Sequence, residues 1–346
     1  VEKGLAWLRN CITRCIQYHE ECRQDYDATW LPTRLIDTGE SKHQSIVRLV
    51  SGANLIKDGY STPHYASLSH KWGTTPFLNL TSSNMNELKT GILLSSLPQT
   101  FKHVIMVTRQ LGIQYLWIDS ICILQDSLQD WQKESSLMDR VYRNAVFNLA
   151  ASESLNPRHG LSAGRYPLLW TPLRIRVRSY SLDEDHFVFH DRWNTVIEDS
   201  PLSKRGWVVQ ERLLSPRTIH FASPIFWECR RLVACETYPY GLQSRLTHKI
   251  WYGLPCAVTQ SDPLYVWEGV LQTYARCTLS HTKDKLVAIS GIARVMHSFI
   301  MSEYLAGVWK EHLVRGLLWF IEKDAAGYAM PYARQLHYVG ENTQIV

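Results

Sequence analysis

The stretch LPQTFKHVIMVTRQLGIQYLWIDSICIL, residues 97–124, decides the fold. Pro98 stands where the first turn of a helix tolerates it. Val104, Ile105, Val107 and Leu111 fall on one side of a 3.6-residue repeat, and Gly112 supplies a stop, so 97–112 reads as an amphipathic helix. QYLWIDSICIL follows with a dense β-branched and aromatic run, the pattern of a strand covered on both faces, interrupted at Asp119.

Working outward, PHYASLSHKWG (63–73) is an earlier buried strand that stops at Gly73. DWQKESSLMDRVYRNA (130–145) is a second helix with Asp130 at its N-cap, and VFNLAASES (146–154) is a third strand. Strand, helix, strand, helix, strand at this spacing describes a right-handed parallel α/β unit. Sites in such units lie beyond the carboxyl ends of the strands. Residues 69–73, 119–126 and 152–154, together with SKRGWVVQERLLSPR (203–217), are therefore expected on one rim.

The flanks read differently. The first thirty residues carry Leu5, Leu8, Cys11, Ile12, Cys15 and Ile16 at helical spacing, and SIVRLVSGANLIKDGY (45–60) alternates like a hairpin. LRIRVRSYSL and HFVFHD suggest an antiparallel insertion at about 160–200. Trp207–Leu214 reads as a short helix ended by Pro216, RTIHFAS and PIFWECRR as two strands, and the chain from about 262 as helical. The expected class is α/β: a parallel sheet flanked by helices, with an antiparallel β insertion and a helical C-terminal part. The expected division is an N-terminal helix and hairpin appendage over 1–60, the α/β domain over 61–235, and a helical region over 236–346 packed on it.

A net charge of +5 on 346 residues, with no Lys/Arg block, admits an anionic small ligand and disfavours nucleic acid. Neither an apolar run of membrane length nor a signal-peptide pattern is visible, so a soluble cytoplasmic protein is expected. Eight cysteines without short-spaced pairing read as reduced thiols. Cys11, Cys15, His19 and Cys22 fall at i, i+4, i+8 and i+11, along one face of a helix. One helix cannot wrap a tetrahedral ion, so a zinc site there would need ligands from elsewhere; a half-buried helix face is the preferred reading, and no metal is expected. The chain lacks G-x-G-x-x-G, the Walker A loop, H-E-x-x-H and G-x-S-x-G, which disfavours Rossmann hydride transfer, P-loop chemistry and α/β-hydrolase chemistry.

What remains is a rim of carboxylate, indole and guanidinium groups: Asp119, Asp126, Glu134, Glu211, Trp72, Trp207, Arg205 and Arg212. The nicotinamide of NAD leaves as a neutral group and needs no proton donor, so one carboxylate can steady the sugar's oxocarbenium-like charge. Indoles can stack on the pyridinium, and arginines can hold the pyrophosphate. The structural alternative is that Glu211 pairs with Arg205 or Arg217 and only anchors its helix. Cys122, after a strand and beside Asp119 and Ser120, is a candidate nucleophile at the ligand side, weighed against the preferred reading of an inert buried thiol.

YASLSHKWG, YLWIDSICILQDSLQDWQKESSLMDRVYRNA, RGWVVQERLLSPRTIHF and FWEC, in that order, resemble the fungal heterokaryon incompatibility (HET) domain. WLRNCITRCIQYHEECR, LPTRLID, DKLVAISGIA and GLLWF resemble segments found around that domain. The resemblance implies self/non-self recognition and cell death, and a remote relation to TIR domains, many of which hydrolyse NAD with a glutamate in a Trp-Cys-x-x-Glu setting. By that analogy Trp207 and Glu211 match the catalytic pair, with Glu134 as the competing glutamate, and Ser69, Trp72 and Gly73 form the loop after the first strand. NAD is then a substrate and not a cofactor. The alternatives are a HET-like fold recruited as a small-molecule biosynthetic enzyme in secondary metabolism, and a non-catalytic module that signals by self-association, with a second copy of the chain as its partner.

Overall fold

The computed structural model describes residues 2–23, 27–39, 44–56, 63–161, 173–179, 182–188, 193–242, 262–323 and 329–335. In chain order, α1 (Glu2–Tyr18) precedes β1 (Arg34–Asp37) and β2 (Ile46–Ser51). The central unit follows: β3 (Tyr65–Ser69), α2 (Met85–Thr90), β4 (Ile92–Leu93), α3 (Gln99–Gln110), β5 (Tyr115–Ile118), α4 (Asp119–Cys122), α5 (Leu128–Ser136), α6 (Met138–Asn144) and β6 (Asn148–Ala150). A separate antiparallel hairpin, β7 (Leu173–Ser179) with β8 (Leu182–Val188), is the expected insertion. Then come α7 (Gly206–Leu214), β9 (Arg217–His220), β10 (Phe226–Cys229), β11 (Val233–Cys235), α8 (Pro263–Ala275) and α9 (Lys285–Ile300). The described residues end with β12 (Tyr304–Leu305), β13 (Val308–Trp309), α10 (Leu313–Leu317), β14 (Trp319–Lys323) and β15 (Ala329–Gln335).

Nine strands form one sheet in the order β11-β10-β9-β6-β3-β5-β1-β2-β4. Its centre is parallel: Leu68 lies opposite Ile118, Ser69 opposite Ala150, and Ala150 opposite His220. The outer strands pair antiparallel. All five residues of β3 are buried, as an apolar run covered by helices on both faces requires. Beneath the rim Trp117 is fully buried and meets Tyr142 edge-on at 5.7 Å between ring centroids. The chain leaving β3 returns in β5 on one side, whereas the chain leaving β6 returns in β9 on the other. The ends of β3 and β6 thus form the switch point at which such sheets open a crevice.

Several local expectations are corrected. The α1 helix stops at Tyr18, and the chain tightens into a 3₁₀ turn over Glu20–Cys22. The partner of β2 is not ANLI, which is a 3₁₀ turn, but β1 from LPTRLID; the N–H of Gly52 bonds Thr33, and a side chain at Gly52 would collide with the Pro32 carbonyl. The KDGY end of that segment lies outside the described residues. The N-cap of α5 is Ser127, whose Oγ accepts the Asp130 N–H at 3.2 Å, and the helix breaks at Leu137. Asp130 instead takes a charge-assisted bond from Arg34 and the N–H of Leu124. The apolar repeat over 304–321 does not form one helix, because Ala306 (φ 50°) and Gly307 (φ 112°) turn the chain into the β12–β13 hairpin. No helix among the described residues is long and apolar enough to cross a membrane.

The α9 helix crosses α7 at Gly291, where a Cβ would lie 2.7 Å from Asp139 Cβ and overlap Gln210 Oε1. Alanine would gain about 1 kcal/mol of helix propensity there, yet overpacking a filled contact costs about 1–3 kcal/mol. Gly291→Ala is expected to lower stability in urea unfolding, and an unchanged or raised midpoint would mean that the two helices separate freely.

Candidate functional site

The loops leaving β3 and β5, the start of α7 and the segment 278–284 enclose a cleft of about 530 Å³. Its first wall grows out of the strand ends. Gly73 has φ +68°, and a Cβ there would sit 2.7 Å from Asn156 Cβ, so only glycine lets the loop after β3 turn this closely. The turn presents Trp72, whose Nε1 donates to Asp119 Oδ2 at 2.8 Å, while Asp119 Oδ1 accepts the Ser120 N–H at 2.7 Å. Asp119 therefore fixes the indole as well as lining the cleft. His70, which sequence reasoning passed over, lies behind them, with Nδ1 3.6 Å from Asp119 Oδ1 and its ring near-parallel to Trp72. Burial pushes His70 down to about 4, so it is a neutral support at physiological pH.

The second wall belongs to α7. Its first residue, Gly206, donates its N–H to the Thr278 carbonyl at 2.9 Å, and a Cβ there would be 2.8 Å from Leu279 Cδ2. A larger residue there would have to displace the Leu279 side chain from the helix start. Arg205 pairs with Thr278 in a β-bridge, and its Nη1 donates to the His70 carbonyl, tying α7 to the end of β3. The residue after Gly206, Trp207, meets Trp131 edge-on at 6.4 Å and lines the cleft, and one turn further on Glu211 forms its floor.

Glu211 is 3% exposed, and its Oε2 has no hydrogen-bond partner among the described residues. Burial raises its pKa to about 7; Arg205 and the hydroxyls of Ser69 and Tyr142 oppose the shift, and Asp119 adds to it. Ser69 itself is buried and accepts from Asn148 Nδ2 at 2.9 Å. Lys71 and His281 add polar groups to the lining, and Asp284 points a second buried, unbonded carboxylate oxygen, Oδ1, from the 278–284 side.

Three expected residues stand elsewhere. Arg212, adjacent to Glu211, points to the opposite side of α7, where it bonds Glu228 at 2.8 Å and Glu198 at 2.9 Å and lies over the Trp193 ring. Burial works against its charge, but Glu198 and Glu228 outweigh that and hold its pKa above the ordinary value. Glu134 is buried beside Arg34 at 3.8 Å and does not line the cleft. Cys122 is fully buried, its thiol pushed up to about 12 by desolvation, which removes it as a nucleophile. The cleft thus unites Trp72, Gly73, Asp119, Arg205, Trp207 and Glu211, with Ser69 just beneath. Sequence reasoning missed Trp131, His281 and Asp284; the last two reach the site only through the Arg205 to Thr278 bridge, 73 residues apart, which leaves no local signal.

Fold and cleft define a class: an α/β domain with a desolvated glutamate and flanking indoles at the carboxyl ends of its parallel strands. Residues 65–211 match the family model described as Heterokaryon incompatibility protein (HET), so the resemblance covers the central α/β unit through α7. The matched segment opens at the first residue of β3 and closes on Glu211. Neither a curated protein nor a solved structure matches the chain.

A carboxylate with its pKa raised from 4.5 to about 7 on folding favours the native state only while it is protonated. Its contribution is complete below the unfolded pKa and is lost as the pH rises through about 7, a loss of about 3 kcal/mol. Glu211→Gln is therefore expected to unfold near the wild-type denaturant midpoint at pH 5 and well above it at pH 8. A pH-independent gap between the two proteins would mean that the carboxylate is not desolvated.

Proposed function

We propose that the cleft binds NAD and cleaves its nicotinamide–ribose bond, with Glu211 as the catalytic residue. The supporting observation is the unbonded Glu211 Oε2 at the floor of a cleft walled by Trp72 and Trp207. A buried carboxylate with one oxygen unbonded is costly in its charged form unless a ligand carries the complementary charge. The Trp207 to Glu211 spacing, read by analogy with TIR domains, supports the same assignment.

In this reading the nicotinamide ring lies between the indoles, and Lys71 and Arg205 face the pyrophosphate. The C1′–N bond breaks and its electron pair leaves with nicotinamide, which becomes neutral. The ribosyl cation left behind is stabilised by ionised Glu211 until water adds to C1′ and loses a proton, giving ADP-ribose. Asp119 acts as a positioning residue, since its oxygens are engaged by Trp72 and Ser120. Release of this activity would be the event through which the protein triggers cell death in self/non-self recognition.

Purified full chain incubated with NAD is expected to release nicotinamide, at a rate that rises with pH through about 7 as Glu211 ionises. Glu211→Gln should lower turnover by about 10²–10³-fold, the scale of losing one preorganised electrostatic stabiliser. Glu134→Gln should keep its turnover, because that carboxylate pairs with Arg34 and stands outside the cleft. No release at high protein concentration, or full activity in Glu211→Gln, overturns the mechanism. Saturable binding of a non-nucleotide small molecule would then favour a recruited biosynthetic enzyme, and concentration-dependent assembly without turnover a signalling module.

A further inference from the structure

Cys15, His19, Cys22 and Cys229 gather four ligand atoms, all within 4.8 Å of one another. Three come from the end of α1. Cys15 lies in its last turn, the His19 N–H bonds the Cys15 carbonyl at 3.1 Å, and the 3₁₀ turn brings Cys22 round, its N–H on the His19 carbonyl at 3.1 Å. The departure from helix after Tyr18 is what permits this: on a continued helix the four side chains Cys11, Cys15, His19 and Cys22 would spread over three turns, and no ion could touch them all. The fourth ligand comes from the far end of the sheet, where Cys229 closes β10 at the turn into β11.

From this geometry we infer that the protein holds one structural zinc ion on Cys15, His19, Cys22 and Cys229. Tetrahedral zinc with sulfur at about 2.3 Å and nitrogen at about 2.0–2.1 Å requires an S···N edge of about 3.5 Å. Cys229 Sγ lies 3.4 Å from His19 Nδ1. Among the described residues the cysteines form no disulfide. Three thiols and an imidazole facing one another make poor core packing, whereas the same set as three thiolates and a neutral imidazole is a complete zinc shell. Cys15, Cys22 and Cys229 are buried, and four protein ligands leave no open position, which marks a structural and not a catalytic site.

The surrounding groups suit the charge. Zinc with three thiolates carries a net charge of −1. Arg217 Nε donates to Cys15 Sγ at 3.2 Å while its other nitrogens bond the Cys22 and Val146 carbonyls, and the Leu232 N–H donates to Cys229 Sγ at 3.2 Å. N–H donors to the ligating sulfurs and a nearby cation are what a thiolate-rich centre needs around it. Both ligand segments lie outside residues 65–211, so the ion would pin α1 to the β10–β11 edge without using any residue that lines the cleft.

Binding releases three thiol protons per zinc and consumes nothing else. The full chain, purified from zinc-supplemented cells without chelator, is expected to carry about one zinc per chain by plasma mass spectrometry, released on mercuration of its thiols. Cobalt exchanged into the same protein should show the charge-transfer and d–d bands of a tetrahedral thiolate site. Cys11→Ser, one helical turn away, should keep the metal, and Cys229→Ser and His19→Ala should lose it. Because those two variants can misfold, the wild-type measurements decide. Folded wild-type protein with less than about a tenth of an equivalent of zinc, a cobalt spectrum without thiolate bands, or a disulfide between any two of the three cysteines overturns the proposal.

Discussion

The level register of β5, β3, β6 and β9 is the constraint on which the rest depends. Ile118, Leu68 with Ser69, Ala150 and His220 are cross-strand partners along one line, so the residues that follow them emerge at the same edge. A parallel ladder slipped by one residue would turn each of these side chains to the other face. The cost of an error is severe here because both faces are covered by helices: every residue of β3, β6 and β9 is buried, and none has a solvent face to accept a misplaced polar group. Trp72, Asp119 and the start of α7 therefore meet because the sheet centre admits one register.

Within that frame, two successive residues of α7 have opposite fates. Arg212 is saturated: two glutamates and an indole surround it, and Glu228 also bonds His220 Nε2 at 2.9 Å. Among the described residues one oxygen of Glu211 has no partner, and the guanidinium that opposes its pKa shift, that of Arg205, donates to a backbone carbonyl. A purely structural carboxylate would be expected in the first kind of setting, since removing a buried charge from water repays only when its hydrogen bonds are made. The saturated side of the helix anchors it, and the unsaturated side keeps a charge available. That division is how a fold can hold a strained group in place without losing its overall stability.

Much of this was legible in the chain, for identifiable reasons. The α3 helix and strands β3, β5 and β6 carry their period, Pro98 and Gly112 in the local sequence, so the α/β class is written there. Trp207 and Glu211 share a helix face by spacing alone, and Trp72 and Asp119 follow strand ends, so their convergence followed from topology. Arg212 was misplaced because proximity in sequence says nothing of rotation about the helix, and a one-residue step turns it by 100° away from the cleft. Asp130 was mistaken for a cap because its own partner, Arg34, is 96 residues away. His281 and Asp284 depend on a single long-range bridge, and the β12–β13 turn on two positive φ angles hidden inside an apolar repeat.

The N-terminal helix bears on the cleft through Arg217. This residue opens β9, three positions after α7 ends, and its guanidinium reaches Cys15, Cys22 and Val146 at once. Val146 leads into β6, whose Ala150 pairs with His220 of the same β9. A shift of the Cys15 turn would therefore move β9 against β6, and with β9 the short loop that sets the rotation of α7. Since α7 offers the cleft one helix face, a rotation of about 100° would be needed to exchange Glu211 for a neighbouring side chain at the floor. The Arg217 guanidinium thus ties the segment before β1 to the strand that follows α7 and to the entry of β6.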